Sequence, residues 1–390
     1  MTAQKQQAET KQRLLGAFNA HFQLSDTELA ALTSSAEPVT DEFFHALVRL
    51  KSIHNSSQVL LGYEDQQLGL EILEQSSKQL NAAFQKLFRW TQRELKTVDL
   101  ENPQLSSGVR RALRVLAERA PLFQGCLDFF AESREHTLSD SFYSALTGTA
   151  GGVGQAIEMN AHDPLRYVSD MLAWVHAATV GEREALHNLF ISDADEISKN
   201  LQAGHESQPW LRRSDSAEGE DLSVDTYFDG KKALNSLVDR DLSGVMRQLR
   251  QRIDQIVQSH EDATLSYQIS NLITFYSSIF TSLLSWNSTI VEALQPGARL
   301  AMDQFRASMR DMIVNLDGDT SAAPADLSPP YFLLEALQTL KRLMKSYDTS
   351  FTTTVSVDER TAGFRPILAE ALDPYPVSYT HLTLPTKRIV

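Results

Sequence analysis

The seven residues Gly148-Thr-Ala-Gly-Gly-Val-Gly154 carry the spacing closest to a phosphate-binding loop. A Walker loop ends in Gly-Lys-Ser/Thr, because the lysine must reach the phosphates and the hydroxyl the magnesium. Gln155 and Ala156 stand there instead. A dinucleotide fingerprint needs a preceding strand, whereas Phe142–Leu146 reads as helix. The segment is expected to be a flexible hinge with no strand before it. A nucleotide-binding enzyme working through Gly148–Gly154 is the alternative of a different class. The ten histidines form no His-Glu-x-x-His and no Cys/His cluster, so no zinc site is indicated. No Gly-x-Ser-x-Gly elbow occurs. Cys126, the single cysteine, lies in the apolar stretch Leu122–Phe130 and reads as a small buried hydrophobe rather than a reactive thiol. The chain cannot form an internal disulfide, which fits a reducing compartment. Paired carboxylates are frequent but sit on solvated helix faces. No catalytic, cofactor-binding or metal-ligating residue is nominated, no cofactor is expected, and the chain is read as a non-enzyme.

The charge balance narrows the partners. A formal net charge of −14, with Lys and Arg interleaved among Asp and Glu, provides no basic stripe for a phosphate backbone or an anionic bilayer. Nucleic acid is therefore not an expected partner, and any membrane association is expected to run through proteins. The opening MTAQKQQAET lacks an apolar signal-peptide core. From Ala263 to Val291 there is no charged residue. Leu265, Ile269, Leu272, Tyr276, Ile279, Leu283, Trp286 and Ile290 recur there at helical spacing, interrupted by Ser, Thr and Asn. A bilayer span needs roughly 20 predominantly apolar residues. The segment reads instead as a helix packed on other helices, with its Ser/Asn face outward.

The elements are helices throughout. Residues 2–22 read as a polar helix, and Ser25-Asp-Thr-Glu28 as a capping box opening the next. Pro38 breaks the chain and Thr40 or Asp41 restarts it. Phe43, Leu47, Leu50, His54 and Leu61 then share one face, on which His54 reads as a packing residue. A helix over 65–96 carries the seam Ile72, Leu80, Ala83, Leu87 and Trp90 at near-heptad spacing, as in a long antiparallel bundle. Helices over 104–118 and 122–146 are separated by Pro121. Asp163-Pro164 is a strong helix start: the carboxylate accepts a free amide, and proline lacks an N–H that is unused at that position. The Gly-, Ser-, Pro- and acid-rich residues 204–230 read as a flexible acidic linker. One helix is expected through Leu237, Leu242, Val245, Leu249, Ile253 and Ile256. Pro296-Gly297 is expected to separate the charge-free helix from one over 299–316. After a loop over 317–330, a helix over 331–347 and a short one before Pro374 complete the pattern. No stretch alternates like a strand. The fold class is all-α, with large helical surfaces suited to protein–protein interaction.

Several segments together resemble a known family. PVTDEFFHALVRLKSIHNSSQVLL (38–61), GLEILEQ (69–75), LFRWTQREL (87–95) and IEMNAHDPLRYVSDMLAWVHAATVGEREAL (157–186) occur in order, followed by YQISNLITFY (267–276) and LDPY (372–375). They are similar to the subunit 6 family of the conserved oligomeric Golgi complex over most of the chain. The resemblance implies an elongated helical-bundle rod of the kind shared by multisubunit tethering complexes. It implies a peripheral protein on the cytosolic face of the Golgi membrane that tethers vesicles in intra-Golgi retrograde transport and supports Golgi organisation and glycosylation. Implied partners are the other complex subunits, SNAREs and Rab GTPases. Another helical-rod tether such as exocyst is the alternative in the same architecture. The expected organisation is a remnant of an N-terminal coiled-coil region (1–24), a first bundle segment (25–203), the linker (204–230), a second bundle segment (231–376) and an artefactual tail (377–390). Val377–Thr386 reads as the translation of a transposase sequencing adaptor. Family members are longer at both ends, so the chain is expected to be an internal piece.

Overall fold

The computed structural model describes residues 2–62, 66–96, 107–148, 155–190, 199–200, 230–318, 331–349, 362 and 364–369. These are helical, with no strand among the described residues. The expected linker (204–230, apart from Gly230) and tail (377–390) lie outside them, as do the loop over 319–330 and LDPY. The chain divides into two compact units, Met1–Ser133 with Glu184–Leu234, and Arg134–Arg183 with Asn235–Val390.

The first unit contains α1 (Thr2–Phe22), α2 (Asp26–Thr33), α3 (Asp41–Leu60), α4 (Gln66–Lys96) and α5 (Ser107–Leu116). It also takes the first part of α6 (Ala120–Thr147) and the last residues of α7 (Pro164–Phe190). The capping box that opens α2 is present: the Ser25 hydroxyl accepts from the Glu28 amide at 3.3 Å and the Ser25 amide donates to Glu28 Oε2 at 2.9 Å. The α3 face folds inward, with Phe43, Leu47 and Leu50 fully buried. Leu80, Ala83, Phe84 and Leu87 of α4 are buried as well, and α3 packs chiefly on α4. Pro121 falls in the first turn of α6 rather than before it, where a missing N–H costs nothing.

Charged side chains tie helix ends together in this unit. Arg49 donates to both carboxylate oxygens of Glu28 at 2.7 and 2.8 Å and to the carbonyls of Ala20 and Gln23 at 2.8 and 3.2 Å. One guanidinium thus holds the end of α1 and the start of α2 against α3. Lys86 donates to the Ala31 carbonyl at 2.6 Å, closing the C-terminal end of α2, while its ammonium lies over the Phe43 ring.

The second unit holds the rest of α6, a short 3-10 turn (Ile157–Asn160), most of α7, α8 (Gly230–Asp241) from Asn235 onward, and α9 (Ser243–Ser259). It continues with α10 (Ala263–Leu283), α11 (Thr289–Gly318) and α12 (Tyr331–Thr349). The expected start of α7 is found: Arg166 N–H donates to Asp163 Oδ1 at 3.3 Å, with Pro164 as the first helical residue. The pairing of α10 with α11 is the most extensive in the unit. Ala263, Tyr267, Phe305, Met309, Ala336, Leu340 and Leu343 form a core cluster, against which Phe364, Ile367 and Leu368 of the short helix over 364–369 pack.

Three expectations in this unit are corrected. Pro296 does not separate two helices but lies inside α11. The break falls earlier, between Leu283 and Thr289, where buried Ser288 caps α11 by accepting from the Ile290 amide at 3.3 Å. An interior proline costs about 3 kcal/mol; the packing of α11 on α9 and α10 offsets it. Trp286 consequently leaves the expected stripe and is 80% exposed. Secondly, the expected single helix through Leu237–Ile256 is two, α8 and α9, joined at Leu242. Gly244 follows, and a Cβ there would press on the Ser139 hydroxyl and the Glu135 side chain of α6, so glycine leaves room for α9 to approach α6 closely. Thirdly, α10 does not turn its serines uniformly outward. Ser266 and Ser270 are buried; Ser270 donates to the Ala298 carbonyl at 3.0 Å, so the hydroxyl meets backbone rather than water.

Candidate functional site

A set of titratable groups that the sequence pattern does not bring together lies in the second unit. Arg134 on α6 pairs through both nitrogens of one edge with Glu182 on α7. Their side chains are only 15% and 6% exposed. Asp241, at the end of α8, is fully buried, and neither of its carboxylate oxygens has a hydrogen-bond partner. Burial and the adjacent Glu182 charge push its carboxyl up to about 8, against the weaker pull of Arg134 and Arg240. The acid is therefore protonated at neutral pH. Glu135, next along α6, is held by Arg247 at 2.5 Å. Nothing in the spacing of these residues signals their meeting, because 48 residues separate Arg134 from Glu182. Two positions before Asp241, Asp239 does other work. It accepts from the Ser288 hydroxyl at 2.5 Å and the Thr289 amide at 3.1 Å, fixing the turn that starts α11.

This arrangement is structural. The protonated Asp241 has no nucleophile to activate, and the Arg134–Glu182 pair neutralises itself. Among the described residues no group of three or more His, Cys, Asp or Glu is placed to hold a metal ion. Cys126 is buried and its thiol is pushed up to about 12 by desolvation, so the thiolate is scarce. His54 is a packing residue: its Nδ1 meets the Ser76 hydroxyl at 2.9 Å, and burial together with the Arg119 charge lowers its pKa.

The glycine-rich loop is preceded by α6, not by a strand. Gly148 adopts a left-handed conformation at φ 73 and its amide donates to the Ser144 carbonyl at 2.8 Å, the geometry of a glycine that ends a helix. Residues 149–154 lie outside the described residues. No helix among the described residues is long and apolar enough to cross a membrane.

The remaining feature that can act on another molecule is exposed apolar surface. Tyr331, Leu334, Leu337 and Met344 lie outward on α12 at helical spacing, while Ala336, Leu340 and Leu343 face the core. Tyr331 is 81% exposed. Apolar side chains on both flanks of one helix suit a chain that packs against further protein.

Among the described residues the elements are helices, with apolar side chains turned outward on α12, the make-up of a protein that packs against other proteins. The comparisons with known proteins specify which. Residues 66–386 match the family model for the C-terminal part of conserved oligomeric Golgi complex subunit 6, and residues 1–35 match the corresponding N-terminal model. The chain belongs to the conserved oligomeric Golgi complex subunit 6 family. The subunit 6 of Phaeosphaeria nodorum is 59% identical over 95% of this chain and 52% of its own length. That of Sclerotinia sclerotiorum is 58% identical over 95% of this chain and 55% of its own length. The Chaetomium globosum subunit is 53% identical, covering 95% of this chain and 54% of its own. The chain thus spans about half the length of these curated relatives. The C-terminal family match ends at residue 386, within the 377–390 segment. No solved structure matches the chain.

Proposed function

We propose that the chain acts as a non-catalytic helical scaffold within the conserved oligomeric Golgi complex, tethering vesicles in intra-Golgi retrograde transport and thereby supporting Golgi organisation and glycosylation. Its partners in this reading are the other subunits of the complex, with SNAREs and Rab GTPases as further contacts. It works at the cytosolic face of the Golgi membrane as a peripheral protein recruited through other proteins. The observation that carries the reading is the subunit 6 family match over residues 1–35 and 66–386. Two features support it physically. The exposed apolar residues of α12 offer a surface for helical partners, and the net charge of −14 disfavours direct adsorption to anionic lipid.

Affinity purification of the full-length protein carrying this sequence tests the proposal. Golgi-complex subunits are expected at near-equal amounts, and the tagged protein is expected to co-localise with Golgi markers. Recovery of exocyst subunits in their place, or a diffuse distribution unchanged by loss of the other Golgi subunits, overturns it.

A further inference from the structure

The first helix, α1, is 21 residues long, about 31 Å at the usual rise per residue. Residues 5–17 of it are all exposed, and it packs only lightly on α3. Helices in proteins are normally held by burial of an apolar face. Over most of its length α1 buries none, so what fixes its direction acts at its last turn. Two kinds of contact lie there. Phe18 and Phe22 are half-buried, with ring centroids 4.7 Å apart. Apolar contact of this sort is non-directional and permits rotation.

The second contact is directional. The last carbonyls of a helix have no partner within it. At the end of α1 they meet Arg49 of α3, whose Nη2 donates to the Ala20 carbonyl at 2.8 Å and to that of Gln23, one residue past the helix, at 3.2 Å. A positive charge also suits that end of the helix dipole. The Nη1 of the same group donates to both carboxylate oxygens of Glu28 on α2, at 2.7 and 2.8 Å. Glu28 is itself fixed, because its Oε2 accepts from the Ser25 amide and the Ser25 hydroxyl, each at 2.9 Å. A guanidinium is a rigid planar fork. The end of α1 is therefore aligned on a carboxylate that α2 holds in place, across a link of three residues, Gln23-Leu24-Ser25. The capping box of α2 and its buried Ala31 and Leu32 do not involve Arg49.

We propose that Arg49 is a latch on a hinged arm. With the guanidinium in place α1 stands at one angle to α3. Without it α1 turns about residues 23–25 while α2, α3 and α4 keep their packing. The arm carries Leu14 and Leu15, which are 65% and 63% exposed, so the latch sets where this apolar pair stands relative to α3. The latch lies in the first unit alone and holds whether or not the chain joins a Golgi complex.

Distances between spin labels on the whole chain, in a Cys126→Ala background, test the latch. One pair, Gln7→Cys with Asn55→Cys, spans α1 and α3. A second, Asn55→Cys with Gln85→Cys, spans α3 and α4 and reads the packing of the unit. All three labelled positions are exposed. Without further substitution both pairs are expected to give one narrow distance peak. Arg49→Gln is expected to lose that peak from the first pair and keep it in the second. Arg49→Lys keeps the charge without the fork and is expected to lose it as well. Lys51→Met removes an ion pair of comparable exposure from the same helix, and is expected to keep both peaks. A broad first pair with Arg49 in place, a narrow one in Arg49→Gln or Arg49→Lys, equal broadening of both pairs, or a Lys51→Met first pair as broad as that of Arg49→Gln overturns the latch.

Discussion

In the first unit, burial works to raise the pKa of Glu28, but hydrogen bonds from the Ser25 amide and the Arg49 guanidinium outweigh it and hold the carboxylate below its ordinary range. In the second, Asp241 is surrounded by protein without a single hydrogen bond, and its carboxyl is pushed up to about 8. Both groups sit among helix ends. The difference is access to solvent: Arg49 and Glu28 remain 39% and 26% exposed, while the Arg134–Glu182 pair beside Asp241 is only 15% and 6% exposed. Charge in the first unit fastens helix termini at little desolvation cost. At this place in the second, charge is buried and must be neutralised in place, by pairing at Arg134–Glu182 and by protonation at Asp241. The two carboxyls therefore contribute to stability with opposite dependence on pH. A lowered carboxyl contributes stability that is present above its unfolded pKa and lost as pH falls through the folded one. A raised one favours folding in acid and loses that contribution as pH rises.

The largest expected effect breaks the enclosed pair. Arg134→Met leaves Glu182 charged and buried, and is expected to cost about 3–5 kcal/mol. The double variant Arg134→Met, Glu182→Leu should recover most of that loss, because no lone charge remains. Arg49→Met, which removes the more exposed counterpart in the first unit, should cost about 1 kcal/mol. Urea unfolding monitored by circular dichroism measures all three. Equal losses for Arg134→Met and Arg49→Met would erase the distinction between the units.

Asp241 tests the sign. Its unfolded form gives up its proton near the ordinary carboxyl value of 3.8, and its folded form near 8. Between those values the unfolded state binds fewer protons, so stability falls as pH rises, by at most about 1.4 kcal/mol per pH unit. Asp241→Asn cannot titrate. Its stability relative to the parent is expected to climb from about pH 4 to about pH 8 and then level off. Melts at a series of pH values that run parallel for the two proteins would show Asp241 to be ionised in the fold.

Asp239, two residues earlier, sharpens the same comparison within one helix. It is nearly as buried but accepts from Ser288 and Thr289. Asp239→Ala strands a buried hydroxyl and an amide, and is expected to cost about 1–3 kcal/mol. At neutral pH Asp241→Asn should cost nothing or stabilise. Two aspartates in one turn are thus expected to respond with opposite signs in the same unfolding assay.

What could be read from sequence follows from the range of the interactions. The capping box at Ser25–Glu28 and the Asp163-Pro164 start are chemistry within four residues, and both are present as expected. The stripes of α3 and α4 are periodic within one helix, and Phe43, Leu47, Leu50, Leu80, Ala83 and Leu87 are buried accordingly. Pro296 marks a helix end by local propensity alone, and the packing of α11 on α9 and α10 overrides that propensity. The inward serines of α10 escaped for a related reason: Ser270 is satisfied by the Ala298 carbonyl 28 residues away, and no pattern within α10 reports that partner. The Arg134–Glu182–Asp241 group is wholly of this kind. Each residue alone looks like one more charge in an acidic, helix-rich chain.

The smallest expected effect returns to a local interaction. Asp163 accepts one amide hydrogen bond at 3.3 Å, and the fixed φ of Pro164 favours the first turn of α7. Asp163→Ala should therefore cost about 1 kcal/mol, the usual value of a lost cap. Asn restores an acceptor without the charge, so Asp163→Asn should recover most of it. If Asp163→Ala instead matched Arg134→Met in urea midpoint, the cap would have to support more than its own turn. Locally legible, weakly stabilising charges such as Asp163 would then not differ from enclosed, strongly coupled ones such as Glu182 on the same helix.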